Sequence, residues 1–116
     1  MNFIISGEPC SKANSRIMIV AKGKRRCIKS TQAQKYVDSF LRQAKAMHFY
    51  PIVDDAKLIC NIYYSSYRKD LDESLIMDCL QKAGMLKNDR QIKEKHIYHH
   101  IDKKYPRAQI ELYMKI

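Results

Sequence analysis

The sequence has no run of about 18 consecutive apolar residues, so it offers no candidate for a membrane-spanning helix. The apolar residues 3–5 are too few for the hydrophobic region of a secretory signal. The four cysteines form no Cys-x-x-Cys pair and show no finger-like spacing with the histidines, which argues against a zinc finger or a redox motif. We therefore expect free thiols, a cytoplasmic location and no membrane partner.

Proline and glycine are scarce, with three of each, and the sequence has no internal repeat or low-complexity segment. Hydrophobic residues make up 46% of the 116 residues, which is enough for one modest core. Two domains would not fit in a chain of this length. Residues 1–116 are therefore predicted to form a single domain.

Acidic residues are the minority charge, since 12 Asp and Glu stand against 22 Lys and Arg. The net charge of +10 favours a polyanionic partner, because basic side chains that neutralise phosphates release the counterions of a nucleic acid. Charge alone also fits a merely soluble basic protein. A more specific functional assignment has to come from motifs.

Apolar residues recur with helical spacing in two segments and alternate in several others. This pattern predicts an α+β fold in which two main helices pack on a mixed β-sheet, in the order β-β-β-α-β-α-β-β. We predict strands at 3–6, 17–21, 27–28, 57–65, 92–101 and 108–115, and helices at 31–48 and 73–83. The first helix is predicted to open with a capping box of Thr31 and Gln34. The second has Asp72 as its expected N-cap and Gly84 as its expected terminator.

Three aspartates surround the second predicted helix. Asp70 and Asp72 precede it, and Asp89 follows it after a tight turn. In an extended segment, residues two apart project to the same face about 6–7 Å from each other, so Asp70 and Asp72 can reach one cation. The helix is expected to return the chain and bring Asp89 alongside. Carboxylate oxygens suit Mg²⁺ or Mn²⁺ and therefore metal-assisted phosphodiester hydrolysis. The alternative is structural: a loop carboxylate, an N-cap and a turn residue.

The residues around these aspartates form a recognisable series, namely Asp70-Leu71-Asp72, Asp78-Cys79-Leu80, Ala83-Gly84 and Asn88-Asp89-Arg90-Gln91. Near the N-terminus stand Gly7-Glu8-Pro9-Cys10-Ser11-Lys12 and then Arg16. Together these motifs resemble those of the RusA-type Holliday junction resolvases. The resemblance implies that Asp70, Asp72 and Asp89 are the metal-binding catalytic carboxylates of a dimeric, Mg²⁺-dependent endodeoxyribonuclease of bacterial or phage origin. Glu73 stands where the family has Asn, and no lysine here matches the family's catalytic lysine.

Basic residues cluster in the N-terminal third, around a predicted hairpin turn at Gly23. The predicted DNA-binding residues are Lys12, Arg16, Lys24, Arg25, Arg26, Arg68 and Lys69. They could clamp DNA phosphates, or the hairpin tip could simply be a solvated loop.

The histidine-rich run 96–100 invites a metal-site interpretation. Strand alternation, however, puts His96, Tyr98 and His100 on one face and His99 on the other. No cysteine lies close in sequence to complete a zinc site, so we predict a surface or dimer strand.

Three functional hypotheses follow. The first is a resolvase that cuts four-way DNA junctions in recombination and repair, as a C2 homodimer whose two sites make two equivalent nicks. The second is another metal-dependent nuclease that acts on flaps or other branched DNA. The third is a non-catalytic basic module that binds nucleic acid and does not need the aspartates.

Overall fold

The fold is described from a computed structural model, which covers the backbone of residues 1–116 and every side chain except that of Lys12. The strands are β1 Asn2–Ser6, β2 Arg16–Ala21, β3 Lys24–Lys29, β4 Ala56–Tyr64, β5 Ile92–Ile101 and β6 Arg107–Met114. The helices are α1 Thr31–Lys45 and α2 Ser74–Lys82, with single 3₁₀ turns at Lys12–Asn14 and Asp89–Gln91. The predicted α+β class and element order are confirmed, and the bounds of β5 are as predicted.

The main sheet has four strands in the order β1-β6-β4-β5, in which β4 and β5 are parallel and the other neighbours antiparallel. Strand β4 lies inside the sheet, and its alternate residues Leu58, Cys60, Ile62 and Tyr64 are buried. These side chains join the apolar sides of both helices in one core. Helix α2 connects two parallel strands, as such strands require a crossover connection.

Strands β2 and β3 form a separate two-stranded sheet, which we call the basic hairpin (residues 16–29). Its two-residue turn places Lys22 at φ 51° and Gly23 at φ 74°, the backbone geometry of a type I′ turn. The radius of gyration is 14.8 Å. A compact domain of this length is expected to have roughly 13 Å. The protein is accordingly elongated, with a longest extent of 49 Å.

The start of α1 corrects one prediction. The N-cap is Ser30, not Thr31, because Ser30 Oγ accepts a hydrogen bond from the Ala33 N–H at 3.1 Å. The same hydroxyl donates to the Asn14 carbonyl at 2.8 Å, and Thr31 is exposed. The helix also ends at Lys45, three residues earlier than predicted.

The start of α2 also corrects a prediction, because its N-cap is Glu73 and not Asp72, whereas its end agrees with the sequence. Glu73 occupies the N-cap position without a capping bond, while Asp72 Oδ1 accepts the Ser74 N–H at 2.9 Å. At the other end Gly84 has φ 83°, and its N–H donates to the Gln81 carbonyl. This left-handed glycine confirms the predicted stop.

The thiols of Cys10, Cys60 and Cys79 are buried and that of Cys27 is exposed, and all four are free, as expected. No helix within the described residues is long and apolar enough to cross a bilayer.

Candidate active site and nucleic-acid interface

The segment 65–73, which we call the carboxylate loop, links β4 to α2 and carries Asp70 and Asp72. Its first residue is anchored by Glu8, whose Oε1 accepts hydrogen bonds from the Ser65 backbone N–H at 2.6 Å and from the Ser65 hydroxyl at 3.0 Å. The other Glu8 oxygen lies 3.7 Å from Lys69 Nζ. The N-terminal Gly7-Glu8-Pro9 loop therefore fixes the start of the carboxylate loop.

Two stacked aromatic side chains, the buried Tyr64 and the partly buried His99, hold the rest of the carboxylate loop. The Tyr64 hydroxyl accepts the Asp72 backbone N–H at 3.2 Å. The His99 ring stacks on Tyr64 at 4.7 Å between centroids, and its Nε2 lies 3.0 Å from the Lys69 carbonyl oxygen. Because a carbonyl oxygen only accepts, Nε2 carries the donated proton. These bonds, with those of Glu8, set the position of Asp72.

Asp70 is exposed and lines a cleft of about 70 Å³, together with Glu8 and Tyr64. Arg68 and Lys69, two of the predicted DNA-binding residues, line the same cleft. We call it the small cleft. It combines one exposed carboxylate with two cations at the end of β4.

Asp89 lines a second cleft of about 390 Å³, which we call the large cleft. Its charged lining residues are Arg16, Lys29, Glu73, Asp78, Asp89 and Lys95. Two ion pairs cross it, Lys95 to Glu73 at 2.8 Å and Lys29 to Asp78 at 3.8 Å. Asp89 begins a 3₁₀ turn, and its backbone N–H donates to the Gln81 side chain at 3.3 Å.

Glu73, Lys29 and Lys95 were not predicted as site residues. The signal for Lys95 was present in the sequence, because strand alternation puts it on the same face as Ile97 and His99. Glu73 could not be recognised in the same way, since its contact with Lys95 joins residues 22 apart in the sequence.

Asp72 connects the two clefts. Its backbone N–H is bonded to Tyr64, which lines the small cleft, and its Oδ1 is bonded to the N–H of Ser74, which lines the large one. Its charge also reaches Cys10: burial raises the pKa of this thiol, and the nearby Asp72 carboxylate raises it further while Lys29 opposes this. Asp72 is thus hydrogen-bonded to one lining residue of each cleft.

The three aspartates do not line one common cleft. Among the described side chains, no group of three or more His, Cys, Asp and Glu is arranged to hold a metal ion. The donor chemistry nevertheless fits Mg²⁺, which commonly binds through one or two carboxylates, several waters and the phosphate oxygens of a substrate. Asp72 and Asp89 provide two such carboxylates at the large cleft and its border.

The basic surface is concentrated in one part of the chain. Residues 9–37 contain eight of the 22 Lys and Arg residues and no Asp or Glu. Arg16 lines the large cleft, and Lys24, Arg25 and Arg26 are exposed on β3 of the basic hairpin. The side chain of Lys12 lies outside the described part of the structure. The large cleft is thus lined by two cations of this segment, Arg16 and Lys29, at the base of the basic hairpin.

The histidine run shows the predicted alternation. His100 bonds to the Asn61 side chain at 2.7 Å and stacks on Tyr63 on the uncovered side of the sheet, whereas His99 stacks on the buried Tyr64. His96 lies 2.9 Å from Glu94. The three rings point to different partners and do not form a cluster.

Comparison of the sequence with protein families found no family model that matches, and comparison with curated proteins found no similar sequence.

Proposed function

We propose that this protein is a divalent-metal-dependent endodeoxyribonuclease that cleaves phosphodiester bonds at four-way DNA junctions. The observation that carries the proposal is the position of Asp72, which is hydrogen-bonded to one residue lining each cleft, Tyr64 and Ser74, while Arg16 and Lys29 of the acid-free segment 9–37 line the large cleft. Carboxylates beside a cationic surface are what such an enzyme needs. The cations hold the DNA that the carboxylates alone would repel. The motifs that resemble those of the RusA-type resolvases favour the four-way junction as substrate.

Asp72 and Asp89 are the proposed metal ligands at the large cleft, and Asp70 is the proposed ligand on the side of the small cleft. A bound Mg²⁺ or Mn²⁺ would supply an activated water and would neutralise charge on the leaving oxygen. Lys29 and Lys95 line the large cleft and carry charge complementary to a phosphate, although each is paired with a carboxylate. The carboxylate loop bonds keep Asp72 in place.

The proposal includes a homodimer. One chain offers one set of carboxylates, and two equivalent nicks across a junction need two equivalent sites, which C2 symmetry provides. The solution mass of the active preparation should therefore be that of two chains.

The decisive experiment replaces Asp89 by asparagine, which keeps the shape of the side chain and its suitability for a turn but removes the charge. Labelled four-way junction, flap and linear duplex are incubated with the protein in Mg²⁺, Mn²⁺ or EDTA. Wild-type protein should cleave the junction only with metal. Asp89→Asn should lower the cleavage rate by about two orders of magnitude or more and leave DNA binding intact.

Asp54→Asn is the matched control, because Asp54 is exposed and lines neither cleft. Its cleavage rate should equal that of the wild type. Full activity of Asp89→Asn would refute the carboxylate mechanism. If the wild type cleaved flaps in preference to junctions, flap DNA would be the substrate in place of the four-way junction. Tight binding without any cleavage by the wild type would leave the non-catalytic module as the function.

A further inference from the structure

The basic hairpin exposes apolar side chains that the single chain leaves uncovered. Met18 is 64% exposed and Val20 71% exposed. Cross-strand pairing places Met18 opposite Cys27 and Val20 opposite Arg25, so these four share one face. Ile17 and Ile28 are exposed on the opposite face. Both sides of the ribbon thus combine apolar residues with the cations near its tip.

This combination indicates an interaction surface. A two-stranded sheet alone is marginally stable, and exposed apolar residues that are grouped, unlike single ones, often mark an interaction site. The hairpin is held at its base by a bond from the Ser30 N–H to the Ser15 carbonyl at 2.8 Å and by the ion pair of Lys29 with Asp78. The remainder projects beside the large cleft as a ribbon about 20 Å long.

The charge of the hairpin decides the kind of partner. Residues 16–29 hold six Lys and Arg residues and no acid, so two copies of this surface would repel each other. An anionic lipid surface would attract the cations but offers one plane, whereas the apolar residues lie on both faces of the ribbon. Nucleic acid offers phosphates on both sides of a groove that admits a two-stranded ribbon.

We propose that the apolar residues of the basic hairpin contact unstacked bases of branched DNA and so give the protein its preference for branched over continuous duplex. The identity of the DNA rests on the proposed function. In a continuous duplex the base faces are covered by stacking, so apolar side chains gain little there. Where strands exchange, the stack is interrupted, and an apolar side chain held by neighbouring phosphate contacts can cover an open base face. Met18 and Val20 would then give selectivity for branched DNA. The affinity for DNA in general would come from Lys24, Arg25 and Arg26.

The test measures binding in EDTA, so that cleavage is not required. The substrates are a four-way junction carrying 2-aminopurine at the crossover and a linear duplex of the same arm sequence. The variant is Met18→Thr with Val20→Thr, which keeps strand propensity and charge. We expect its dissociation constant for the junction to rise about tenfold, by loss of apolar contact, while that for the linear duplex stays unchanged. The fluorescence increase of 2-aminopurine on binding should shrink as well.

Three further variants control the result. Val53→Thr removes a 79% exposed apolar side chain of the loop before β4 and should bind as the wild type does. Val20→Ile keeps an apolar residue and should retain the preference. Arg25→Gln should weaken binding to the junction and to the linear duplex equally, and should reduce the slope of the logarithm of the binding constant against the logarithm of the salt concentration by about 0.9. The threonine variant should leave that slope unchanged.

Equal weakening of junction and linear duplex by the threonine variant would overturn the proposal. An unchanged preference of the threonine variant for the junction would overturn it as well. If the solution mass of that variant also changed, the hairpin face would be assigned to a second copy of the chain. If the variant instead lost binding to vesicles of phosphatidylglycerol, the face would be assigned to a membrane. A wild type that prefers the junction in EDTA but never cleaves it would refute the nuclease and leave the hairpin proposal standing. A wild type that cleaves while the threonine variant keeps its preference would refute the hairpin proposal alone.

Discussion

Two buried tyrosines give a pair of predictions with opposite signs. Tyr64 is 1% exposed, and its hydroxyl accepts the Asp72 backbone N–H. Replacing Tyr64 by phenylalanine keeps the ring that stacks on His99 but leaves that N–H without its acceptor. A donor deprived of its partner costs about 1–3 kcal/mol. Because Asp72 is only partly buried, we expect Tyr64→Phe to lower the free energy of unfolding by about 1–2 kcal/mol.

The hydroxyl of Tyr36 is also buried, but among the described groups it has no hydrogen-bond partner. Burial raises the pKa of this phenol well above its ordinary value, as expected for a hydroxyl in an apolar surrounding. Phenylalanine at this position removes a polar atom that was desolvated without compensation. Tyr36→Phe should therefore raise the free energy of unfolding by about 1 kcal/mol.

Both variants are compared with the wild type by urea denaturation followed by circular dichroism, and by thermal melting. For a chain of this length each kcal/mol should move the melting temperature by roughly 3–6 °C. The melting temperature of Tyr64→Phe should fall and that of Tyr36→Phe should rise. A common sign for both variants would show that the hydroxyl contacts do not decide these stabilities and would refute the role assigned to the Tyr64–Asp72 bond.

Two further predictions concern a helix cap and an acid-labile contact. Ser30→Ala should lower the free energy of unfolding by about 1–2 kcal/mol, because it removes the cap of α1. Thr31→Ala at the exposed neighbour should change it by less than about 0.5 kcal/mol. Equal losses for the two variants in denaturant unfolding would contradict the assignment of Ser30 as the cap. The hydrogen bond from His96, with Lys57, holds the pKa of Glu94 below its ordinary value. When folding lowers the pKa of a carboxyl group, the stabilisation of the fold is complete above the unfolded pKa and is lost as the pH falls through the folded pKa. Glu94→Gln lacks this contribution, so it should lose less stability than the wild type between about pH 5 and pH 3. Melting curves across that range would show it, and identical acid profiles would exclude the contact.

The sequence was most informative where local pattern and fold agree. Strand β5 could be bounded from its alternation, and Gly84 could be assigned because a glycine after an amphipathic helix commonly takes the left-handed conformation. The cap of α1 could not be chosen in the same way. Ser30 and Thr31 are both good caps, and the choice is made by a contact distant in sequence, the bond of Ser30 Oγ with the Asn14 carbonyl.

The arrangement of the aspartates was harder to predict, for a definite reason. The expectation that Asp70 and Asp72 share one face assumed that the strand continues to them. Strand β4 ends at Tyr64, and the chain turns at residues 67–68, so the two-residue period no longer applies. Asp72 is instead positioned by the Tyr64 hydroxyl and Asp70 remains exposed. Such a bond between a core side chain and a loop N–H leaves no periodic signal in a sequence.

The charges of the large cleft suggest how metal and DNA binding would be linked. Carboxylates that share a small volume repel one another, and the lysines that pair with Glu73 and Asp78 reduce this repulsion. Asp89 has no such cation among the described side chains, so of the carboxylates in this cleft it would gain most from the proposed metal. A DNA phosphate that arrives with the metal would compete with Glu73 and Asp78 for Lys95 and Lys29. Releasing those two carboxylates raises the negative charge beside the ion, so each ligand would favour binding of the other.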